Sequence, residues 1–382
     1  MRKLSLFAVL EAATIFMPLH ANADPDFSFE GSGWGEGFGL SQYGAKALGA
    51  DGASYQQIID RYFPNTFIAS YPFIGAETFL VKDNMPVLVG ISQKRTDIAF
   101  EILSGSADLC FDDYVGSCIK ALPGQNWRFR ENGQGECVFI ENPGGAATLF
   151  VSIPGDCEAS VRPLSPHTVV NVPLKARSYQ KGILKFRSIP NASSFNVSLK
   201  IGIEDFLKGL SEVPESWPNE TIKSQVIATR SLVLWHLLER GPESSFNVEN
   251  RKECYCNLKD GSSDFIFRGK TGSDMHPNWV AAVNDTSNKV VVYDTSLAYA
   301  LYTSSTGGYS ESWLDVFGTQ DHPYLVNVND SHAFTVSARN PHTEWAAGYS
   351  QDRIADEFNF QSVDSLKIIE RHSSGSVKTL LI

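Results

Sequence analysis

Apolar residues recur at helical spacing in the second half of the chain. Between residues 219 and 240 they follow a period near 3.6, which predicts an amphipathic helix with one buried face; the apolar positions are Ile222, Val226, Ile227, Val233, Leu234 and Leu237. Ser216 or Asn219 can cap the start of this helix. The sequence Arg240-Gly241-Pro242 predicts its end, because a cation, a glycine and a proline favour the last turn, the C′ position and the stop.

Alternating apolar and polar residues dominate the region from residue 67 to residue 200. The strand-like runs are 78–81, 87–91, 147–153, 183–189 and 195–203. Intervals rich in Gly, Pro, Asp and Asn separate these runs, as is typical of turns. We therefore expect a β-rich region here.

Shorter elements flank these two regions. Ser54 and Gln57 predict a capping box for a helix that ends before Pro64. After the long helix, the pattern predicts a helix over 280–288 and strands over 290–293 and 298–303. The mixture of separate helical and strand regions predicts an α+β chain.

The first residues have the pattern of an export signal. Two basic residues precede an apolar run over 4–19, which Glu11 interrupts, and Ala21-Asn22-Ala23 has the form of a signal-peptidase site. We predict a signal peptide over 1–23 and a secreted, periplasmic or cell-envelope protein. No later run of about 18 uncharged apolar residues occurs, so we expect no transmembrane segment in the mature chain.

Composition and charge narrow the class of partner. The 382 residues are 42% hydrophobic and 20% charged, which suffices for ordinary globular cores. The formal net charge of −11 argues against a nucleic-acid partner, because phosphate binding needs clustered Lys and Arg. A neutral or cationic partner fits this surface better.

The chain has six cysteines, and an even number in an exported protein favours disulfides over free thiols. Cys110, Cys118, Cys137 and Cys157 lie in one glycine-rich polar region, where we expect them to form two local disulfides. Cys254 and Cys256 lie apart as a Cys-Tyr-Cys pair. A disulfide across one intervening residue is strained.

Glu212 stands on a turn directly ahead of the long helix. Pro214 and Pro218 each fix φ, and Trp217 supplies a broad apolar anchor between them. Burial beside such a side chain raises the pKa of a carboxyl group, so that it keeps its proton near neutral pH and can act as a general acid. The alternative is a structural role, in which Glu212 caps the helix or forms an ion pair near its start.

Three separated segments carry motifs that occur together in one known family. Residues 31–66 begin Gly-Ser-Gly-Trp-Gly-Glu-Gly-Phe-Gly-Leu-Ser-Gln-Tyr-Gly-Ala, residues 199–240 contain Glu-Val-Pro-Glu-Ser-Trp-Pro, and residues 265–330 contain Tyr-Thr-Ser-Ser-Thr-Gly-Gly-Tyr-Ser-Glu. Together these segments resemble the SpoIID/LytB family, which comprises stage II sporulation protein D-like peptidoglycan lytic transglycosylases and enhancers of cell-wall amidases. In that family the glycine-rich motif comes last, whereas in this chain it comes first.

The resemblance therefore implies a SpoIID-like mixed fold with a circularly permuted order of segments. Residues 24–66 form the permuted glycine-rich segment, 67–180 a β-rich, disulfide-containing insertion, and 181–382 the catalytic core. Because the termini of a compact domain often lie close together, such a permutation can preserve the site. It requires that residues 31–66 pack against the segments between 199 and 330.

The resemblance also implies a reaction and a set of site residues. It points to a peptidoglycan lytic transglycosylase that cleaves the β-1,4 bond between N-acetylmuramic acid and N-acetylglucosamine without a cofactor, with Glu212 as general acid and base. The implied substrate-binding residues are Trp34, Glu36, Ser41, Gln42, Gln225, Arg230, Ser304, Ser305, Thr306, Gly307 and Gly308. Gln225 and Arg230 have a structural alternative, as hydrogen-bond or ion-pair partners within the core.

Two other functions and a metal stay open. The chain could be a non-catalytic, glycan-binding enhancer of a cell-wall amidase. It could also be a hydrolase with Glu212 and Glu36 as its two carboxylates, since Glu36 stands where the family usually has histidine. Some family members hold zinc near the position of Cys254 and Cys256. The candidate ligands of a structural zinc ion in this chain are these two cysteines with His276 or His236, which would form an incomplete tetrahedral set.

Overall fold

The computed structural model describes residues 26–71, 87–111, 118–131, 136–141, 149–151, 158–189, 192–241 and 254–382. Within these residues the chain is α+β, as the sequence predicts. The predicted signal peptide over 1–23, the strand predicted at 78–81 and Cys157 lie outside the described residues.

The N-terminal segment forms short strands and two helices. These elements are β1 Phe27–Gly31, β2 Leu40–Ser41, α1 Gln42–Ala50, α2 Tyr55–Tyr62 and β3 Phe67–Ser70. The predicted capping box is confirmed, because the Ser54 side chain accepts from the Gln57 backbone N–H and the Gln57 side chain accepts from the Ser54 N–H at 2.9 Å. Helix α2 ends before Pro64, also as predicted.

The β-rich region folds into two antiparallel sheets. Its strands are β4 Val87–Arg95, β5 Asp97–Ser104, β6 Ala107–Phe111, β7 Cys118–Ala121, β8 Asn126–Glu131, β9 Cys137–Glu141, β10 Leu149–Val151, β11 Ala159–Pro163, β12 Val169–Val172, β13 Arg177–Tyr179, β14 Ile183–Ser188 and β15 Phe195–Ile201. The six-stranded sheet has the order β10-β9-β8-β5-β12-β13. The seven-stranded sheet has the order β16-β4-β15-β14-β11-β6-β7, where β16 Leu258–Lys259 is parallel to β4.

Phenylalanine rings hold the two sheets together. Phe129 of the first sheet stacks on Phe186 of the second at 4.3 Å and meets Phe195 edge-on at 4.9 Å. All three rings are buried, as expected for a sandwich whose inner faces interdigitate. A disulfide joins Cys110 to Cys118 across β6 and β7, which confirms one local disulfide of the region.

The remaining elements follow the sandwich in sequence. The helices are α3 Ile203–Lys208, α4 Asn219–Arg240, α5 Gly269–Met275, α6 Pro277–Asp285, α7 Trp313–Phe317 and α8 Gln351–Phe358. The strands are β17 Lys289–Tyr293, β18 Ser296–Leu297, β19 Tyr302–Thr303, β20 Trp345–Tyr349, β21 Lys367–Arg371 and β22 Val377–Leu381. Short 3₁₀ helices span Pro173–Lys175 and Ser331–Phe334. The helix predicted over 280–288 exists as α6 but begins three residues earlier.

Helix α4 departs from its prediction in two ways. Pro218 occupies the N-cap position and no side chain caps the helix, so the predicted caps at Ser216 and Asn219 are wrong. The helix is central rather than amphipathic, because polar side chains are buried along it together with the apolar ones. Its predicted end is correct: Gly241 has a φ of +73° and caps the last turn.

The N-terminal segment packs on the C-terminal half of the chain, as the permuted order of motifs requires. Strand β2 is parallel to β19, and β1 pairs with β20 over its whole length. Helices α1 and α2 both contact α4. Within the described residues, no helix combines the length and the apolar character needed to cross a membrane.

Candidate functional site

The glycine-rich loop and the Ser-Thr-Gly-Gly loop lie against each other. Trp34 and Ser305 exchange backbone hydrogen bonds at 2.8 and 3.1 Å, and the Ser32 hydroxyl donates to the Gly307 carbonyl at 2.9 Å. Gly33 has a φ of +90°, and a Cβ there would lie 2.8 Å from the Gly307 nitrogen. Only glycine permits this approach of two backbones.

The turn that carries Glu212 lies between α3 and α4 and is held from several sides. Ser211 has a φ of +148°, a region that residues with a Cβ rarely adopt and that costs on the order of 1–3 kcal/mol. The Trp217 N–H donates to the Pro214 carbonyl at 3.1 Å, and the Trp217 ring is buried. Strain of this kind persists only where the surrounding contacts fix the backbone, so the direction of Glu212 is set by its neighbours.

The other two carboxylates near the turn cap helices elsewhere in the chain. Glu215 accepts from the backbone N–H of Asn278 and, at 3.4 Å, of Trp279, at the start of α6. Glu220 accepts from the Tyr55 N–H at 2.8 Å, at the start of α2. An anion at these positions satisfies free N–H groups and the helix dipole. The first contact ties the Glu212 turn to α6, and the second ties the start of α4 to α2.

A chain of hydrogen bonds leads through the core to the carboxyl group of Glu212. The Gln42 amide donates to Gln225 Oε1 at 3.4 Å, and the Gln225 amide donates to the Thr229 hydroxyl at 3.2 Å. Tyr302 is hydrogen-bonded to both Thr229 and Glu212. The Gln42 amide also donates to the Glu212 carbonyl at 3.3 Å and thereby closes a ring. This ring contains residues from all three family-like segments.

Burial raises the pKa of Glu212 above its ordinary value, against the hydrogen bond from Tyr302 and the charge of Arg268, which lower it. Burial and the negative charge of Glu212 raise the pKa of Tyr302 well above its ordinary value. Tyr302 therefore keeps its proton and donates a hydrogen bond to the carboxylate. A carboxyl group in this setting can release a proton to a ligand and remain stabilised afterwards by the phenol.

Glu36 lies in the glycine-rich loop with an exposed side chain. Burial, followed by the charge of Glu36, raises the pKa of Tyr299. Among the described residues, the charged or hydrogen-bonding groups that shift the pKa of Glu212 are Tyr302 and Arg268. Glu36 is not one of these groups.

Arg230 is not brought to this site. Its side chain is 1% exposed and forms two hydrogen bonds of 2.8 Å with the carboxylate of Glu204. The remaining N–H groups donate to the carbonyls of Lys289 and Val283 and to the Thr286 hydroxyl at 3.1 to 3.4 Å. The guanidinium therefore has no donor left for a substrate, and Arg230 joins α3, α4, α6 and β17.

Most of the predicted serine, threonine and glycine residues build the scaffold. Ser41 caps α1 by accepting from the Gly44 N–H at 3.3 Å. The other polar contacts are Asn340 to Ser305 Oγ at 3.0 Å, Thr306 Oγ1 to Asp330 at 2.6 Å, the Tyr43 N–H to the Ser304 carbonyl at 3.1 Å and the Asp330 N–H to the Gly308 carbonyl at 2.8 Å. Asp330 is buried and also accepts from Tyr62 at 2.6 Å. These bonds fix the loops around Glu212.

Sequence reasoning missed three members of the site. Thr229 follows Gln225 by four residues and so shares its helix face, which was a usable signal. Tyr302 lies within a quoted motif, but alternation alone does not distinguish a strand tyrosine that faces a carboxyl group. Arg268 lies in an irregular segment before α5 and has an exposed side chain. Only the tertiary fold brings its charge near Glu212.

Cys254 and Cys256 are joined by a disulfide in this structure. Zinc ligation needs both sulfurs as thiolates, so the disulfide and a zinc-bound form are alternative states of this pair. Of the two candidate histidines, His236 packs edge-on against Phe265 and Tyr299, and burial lowers its pKa to about 4. His276 lies 3.9 Å from Glu215. The structural zinc ion stays a prediction.

Known proteins resemble parts of this chain. Residues 191–293 match the family model described as SpoIID, Stage II sporulation protein. An uncharacterised protein of Brachyspira hyodysenteriae is 28% identical over 142 residues, which are 37% of this chain and 35% of that protein. The protein named Amidase enhancer of Bacillus subtilis is 27% identical over 150 residues, which are 39% of this chain and 17% of that protein. The chain thus covers well under two thirds of either relative.

Proposed function

Because residues 191–293 of this chain carry a SpoIID domain, we propose that the protein is a cell-wall enzyme that cleaves glycan strands of peptidoglycan. The bond it breaks is the β-1,4 bond between N-acetylmuramic acid and N-acetylglucosamine, by the lytic transglycosylase route. Its substrate lies outside the cytoplasmic membrane, in agreement with the signal peptide predicted over 1–23.

The observation that carries this proposal is the setting of Glu212. Its carboxyl group lies where three distant segments meet, its pKa is raised by burial, and Tyr302 donates a hydrogen bond to it. A general acid that works near neutral pH needs a raised pKa. It also needs a partner that stabilises the carboxylate formed when the proton leaves.

In the first step, protonated Glu212 transfers its proton to the glycosidic oxygen. The bond between the anomeric carbon of the muramic acid residue and this oxygen breaks, and positive charge develops on the sugar ring. The leaving N-acetylglucosamine keeps the transferred proton as a hydroxyl. Glu212 is now an anion, and its hydrogen bond from Tyr302 becomes charge-assisted and stronger.

In the second step, the same carboxylate accepts the proton of the muramic acid 6-hydroxyl. That oxygen bonds to the anomeric carbon and closes a 1,6-anhydro ring, and Glu212 returns to its protonated form. One carboxyl group therefore serves as acid and then as base. A second carboxylate is not required by this route.

The test is to incubate the protein with glycan strands stripped of their peptides and to identify the products by mass spectrometry. Anhydromuramyl ends are expected from the wild type and none from Glu212→Gln, which keeps the shape but cannot donate the proton. Glu215→Gln is the matched control, since Glu215 lies on the same turn but caps α6. Ordinary reducing ends would indicate hydrolysis and overturn the lytic route.

A second candidate function is a glycan-binding enhancer of a cell-wall amidase. It is favoured by the relative from Bacillus subtilis, whose name is Amidase enhancer. Under this function the wild type binds glycan strands, releases no product, and increases the rate of a purified amidase on intact peptidoglycan. Glu212→Gln would then leave the enhancement unchanged, whereas the enzymatic function predicts a loss of product.

A further inference from the structure

An aromatic stack runs from the protein surface to the Glu212 turn. Trp34 stacks on His342 with ring centres 5.2 Å apart, His342 meets Tyr43 edge-on at 5.8 Å, and Tyr43 contacts Trp217 at 5.1 Å. Trp34 is 47% exposed at one end, while Trp217 is buried within the turn at the other. Exposed aromatic faces offer apolar contact area at little entropic cost.

Lys46 lies beside this aromatic stack, and a second cation, Arg339, lies three residues before His342, whose ring belongs to the stack. The Lys46 ammonium is 5.1 Å from the centre of the Trp217 ring and 5.4 Å from that of Tyr43. Burial and the positive charge of nearby Arg339 both lower the pKa of Lys46. The two side chains are therefore close enough to repel each other.

Neither cation has an acidic partner within the part of the chain that the structure describes. The contrast with other partly buried cations is clear, since Lys223 lies 3.3 Å from both Glu220 and Asp285. The whole chain carries a formal charge of −11, so carboxylates are in excess. Two adjacent, unneutralised cations in such a chain favour an anionic ligand from outside.

The backbone also holds Arg339 in an uncommon conformation. Its φ is +45°, in the left-handed region that residues other than glycine seldom adopt. His342 follows three residues later, where its carbonyl accepts from the Gly33 N–H at 2.8 Å. The loop that presents the arginine is thus fixed to the glycine-rich loop.

Lys46 lies close to the proposed chemistry, because its helix contacts the Glu212 turn. Gln42 donates to the Glu212 carbonyl at 3.3 Å, and Lys46 follows Gln42 by one turn of α1. One turn corresponds to about 6 Å along the helix face, close to the width of one sugar residue. A glycan whose scissile bond lies at Glu212 would bring a neighbouring substituent to Lys46 and Arg339.

We propose that Lys46 and Arg339 form a carboxylate-binding subsite, with the aromatic stack as the platform for the sugar ring. Resting on the function proposed above, this subsite selects glycans that carry a carboxylate over neutral glycans. Arg339 supplies paired N–H donors and Lys46 a point charge, and together they match a carboxylate. The carboxylate belongs either to the lactyl group of muramic acid or to an attached peptide.

The test measures binding by calorimetry in the Glu212→Gln background, so that no glycan is consumed. Four ligands are compared: peptide-free strands with their lactyl carboxylates, the same strands converted to methylamides, strands that retain their peptides, and chitooligosaccharides. The variants are Lys46→Met, which keeps apolar contact with the rings, and Arg339→Asn, because asparagine tolerates a left-handed φ. Lys120→Met on β7 is the control for the loss of one charge.

Each site variant should raise the Kd for carboxylate-bearing strands roughly 10- to 100-fold and leave the Kd for methylamide strands and chitooligosaccharides unchanged. If the variants bind peptide-free strands more weakly, the lactyl group is the ligand. If only their affinity for peptide-bearing strands falls, the ligand is the peptide carboxylate. If the variants lose equal affinity for neutral and acidic glycans, or lose affinity for none of them, the proposed subsite is wrong. If the variants bind normally while the wild type still forms anhydro products, only the subsite falls. If no glycan binds at all, both proposals fall.

Discussion

Helix α4 buries polar side chains on two sides, and the sides differ in where their hydrogen bonds end. On one side Gln225 and Thr229 belong to the chain of donors that leads through Tyr302 to Glu212. On the other side Arg230 forms its two 2.8 Å hydrogen bonds with Glu204. The first set of bonds ends at a carboxyl group that no cation contacts directly in the described chain, and the second ends in a neutralised pair.

This difference separates a structural polar cluster from one that can do chemistry. Around Arg230 every donor is matched by an acceptor and the charges cancel, so the cluster can only hold elements together. Around Glu212 the donors are aligned toward a group whose proton is free to move to a ligand. Burial alone is therefore a poor guide to function, since Gln225 and Arg230 are each 1% exposed.

The largest expected effect is a loss of stability on the side of α4 that carries Arg230. Arg230→Met should lower the free energy of unfolding by about 3–5 kcal/mol, because it leaves the Glu204 carboxylate and two backbone carbonyls without their partner. Chemical denaturation measures this loss. The Kd for glycan strands should stay unchanged in the folded fraction.

A double-mutant cycle with Glu204→Met sharpens this prediction. If the pair is purely structural, the two changes are strongly non-additive in stability and neither affects glycan binding. Lost glycan binding with little loss of stability would show instead that Arg230 acts on the ligand, and the two sides of α4 would no longer differ.

The second largest expected effect is on the reaction rate, when Tyr302 at the end of the hydrogen-bond chain is changed. Tyr302→Phe removes the hydrogen bond to Glu212, and we expect kcat to fall about 10- to 100-fold, since bonds to charged groups contribute about 1.5–3 kcal/mol. The same bond lowers the pKa of Glu212, so its removal raises that pKa further. The alkaline limb of the pH–rate profile, where the acid loses its proton, should therefore move to higher pH.

Tyr71→Phe is the matched control for this change. The Tyr71 hydroxyl is buried without a hydrogen-bond partner among the described residues, so kcat and the pH profile should not change. Adding Thr229→Val to Tyr302→Phe should not recover kcat, because the hydrogen bond to Glu212 stays absent. A pH profile that stays in place with Tyr302→Phe would mean that the phenol does not act on the acid.

The sequence predicted those features that depend on local pattern. The turn at Glu212, the last turn of α4 at Arg240 and the capping box at Ser54 are all set by residues within a few positions of one another. The packing of residues 31–66 on the later segments was also foreseen, because the motifs resemble a family with one site. For these features the local sequence preferences favour the same structure as the tertiary fold.

The features that were missed depend on contacts between distant residues. Glu220 lies in the first turn of α4 and Glu215 on the turn before it, yet their carboxylates cap α2 and α6 through residues that are 165 and 63 positions away along the chain. The strand predicted over 298–303 is confirmed only at Tyr302–Thr303, because residues 298–301 have no strand structure. Arg230 was open between two roles, and Glu204, which decides it, lies on α3. No periodic pattern encodes such partners.

The remaining expected effect is on stability at the Glu212 side of α4, and its sign depends on pH. An ordinary glutamate titrates near pH 4.3 in the unfolded chain, whereas burial raises the pKa of Glu212 in the folded protein. Between these values the folded state binds more protons than the unfolded state, so wild-type stability falls as pH rises through the folded pKa. Glu212→Gln does not titrate at this position, so its stability should rise relative to wild type over this pH range, because it escapes the loss that the wild type undergoes. Thermal unfolding from pH 4 to pH 8 measures the difference in Tm between the variant and wild type. Glu215→Gln is the control, and its change in Tm should have the opposite sign. It removes a charge that caps a helix and should therefore lower Tm at neutral pH. A difference between Glu212→Gln and wild type that stays constant across this range would mean that Glu212 has no raised pKa, and the two sides of α4 would then differ only in geometry.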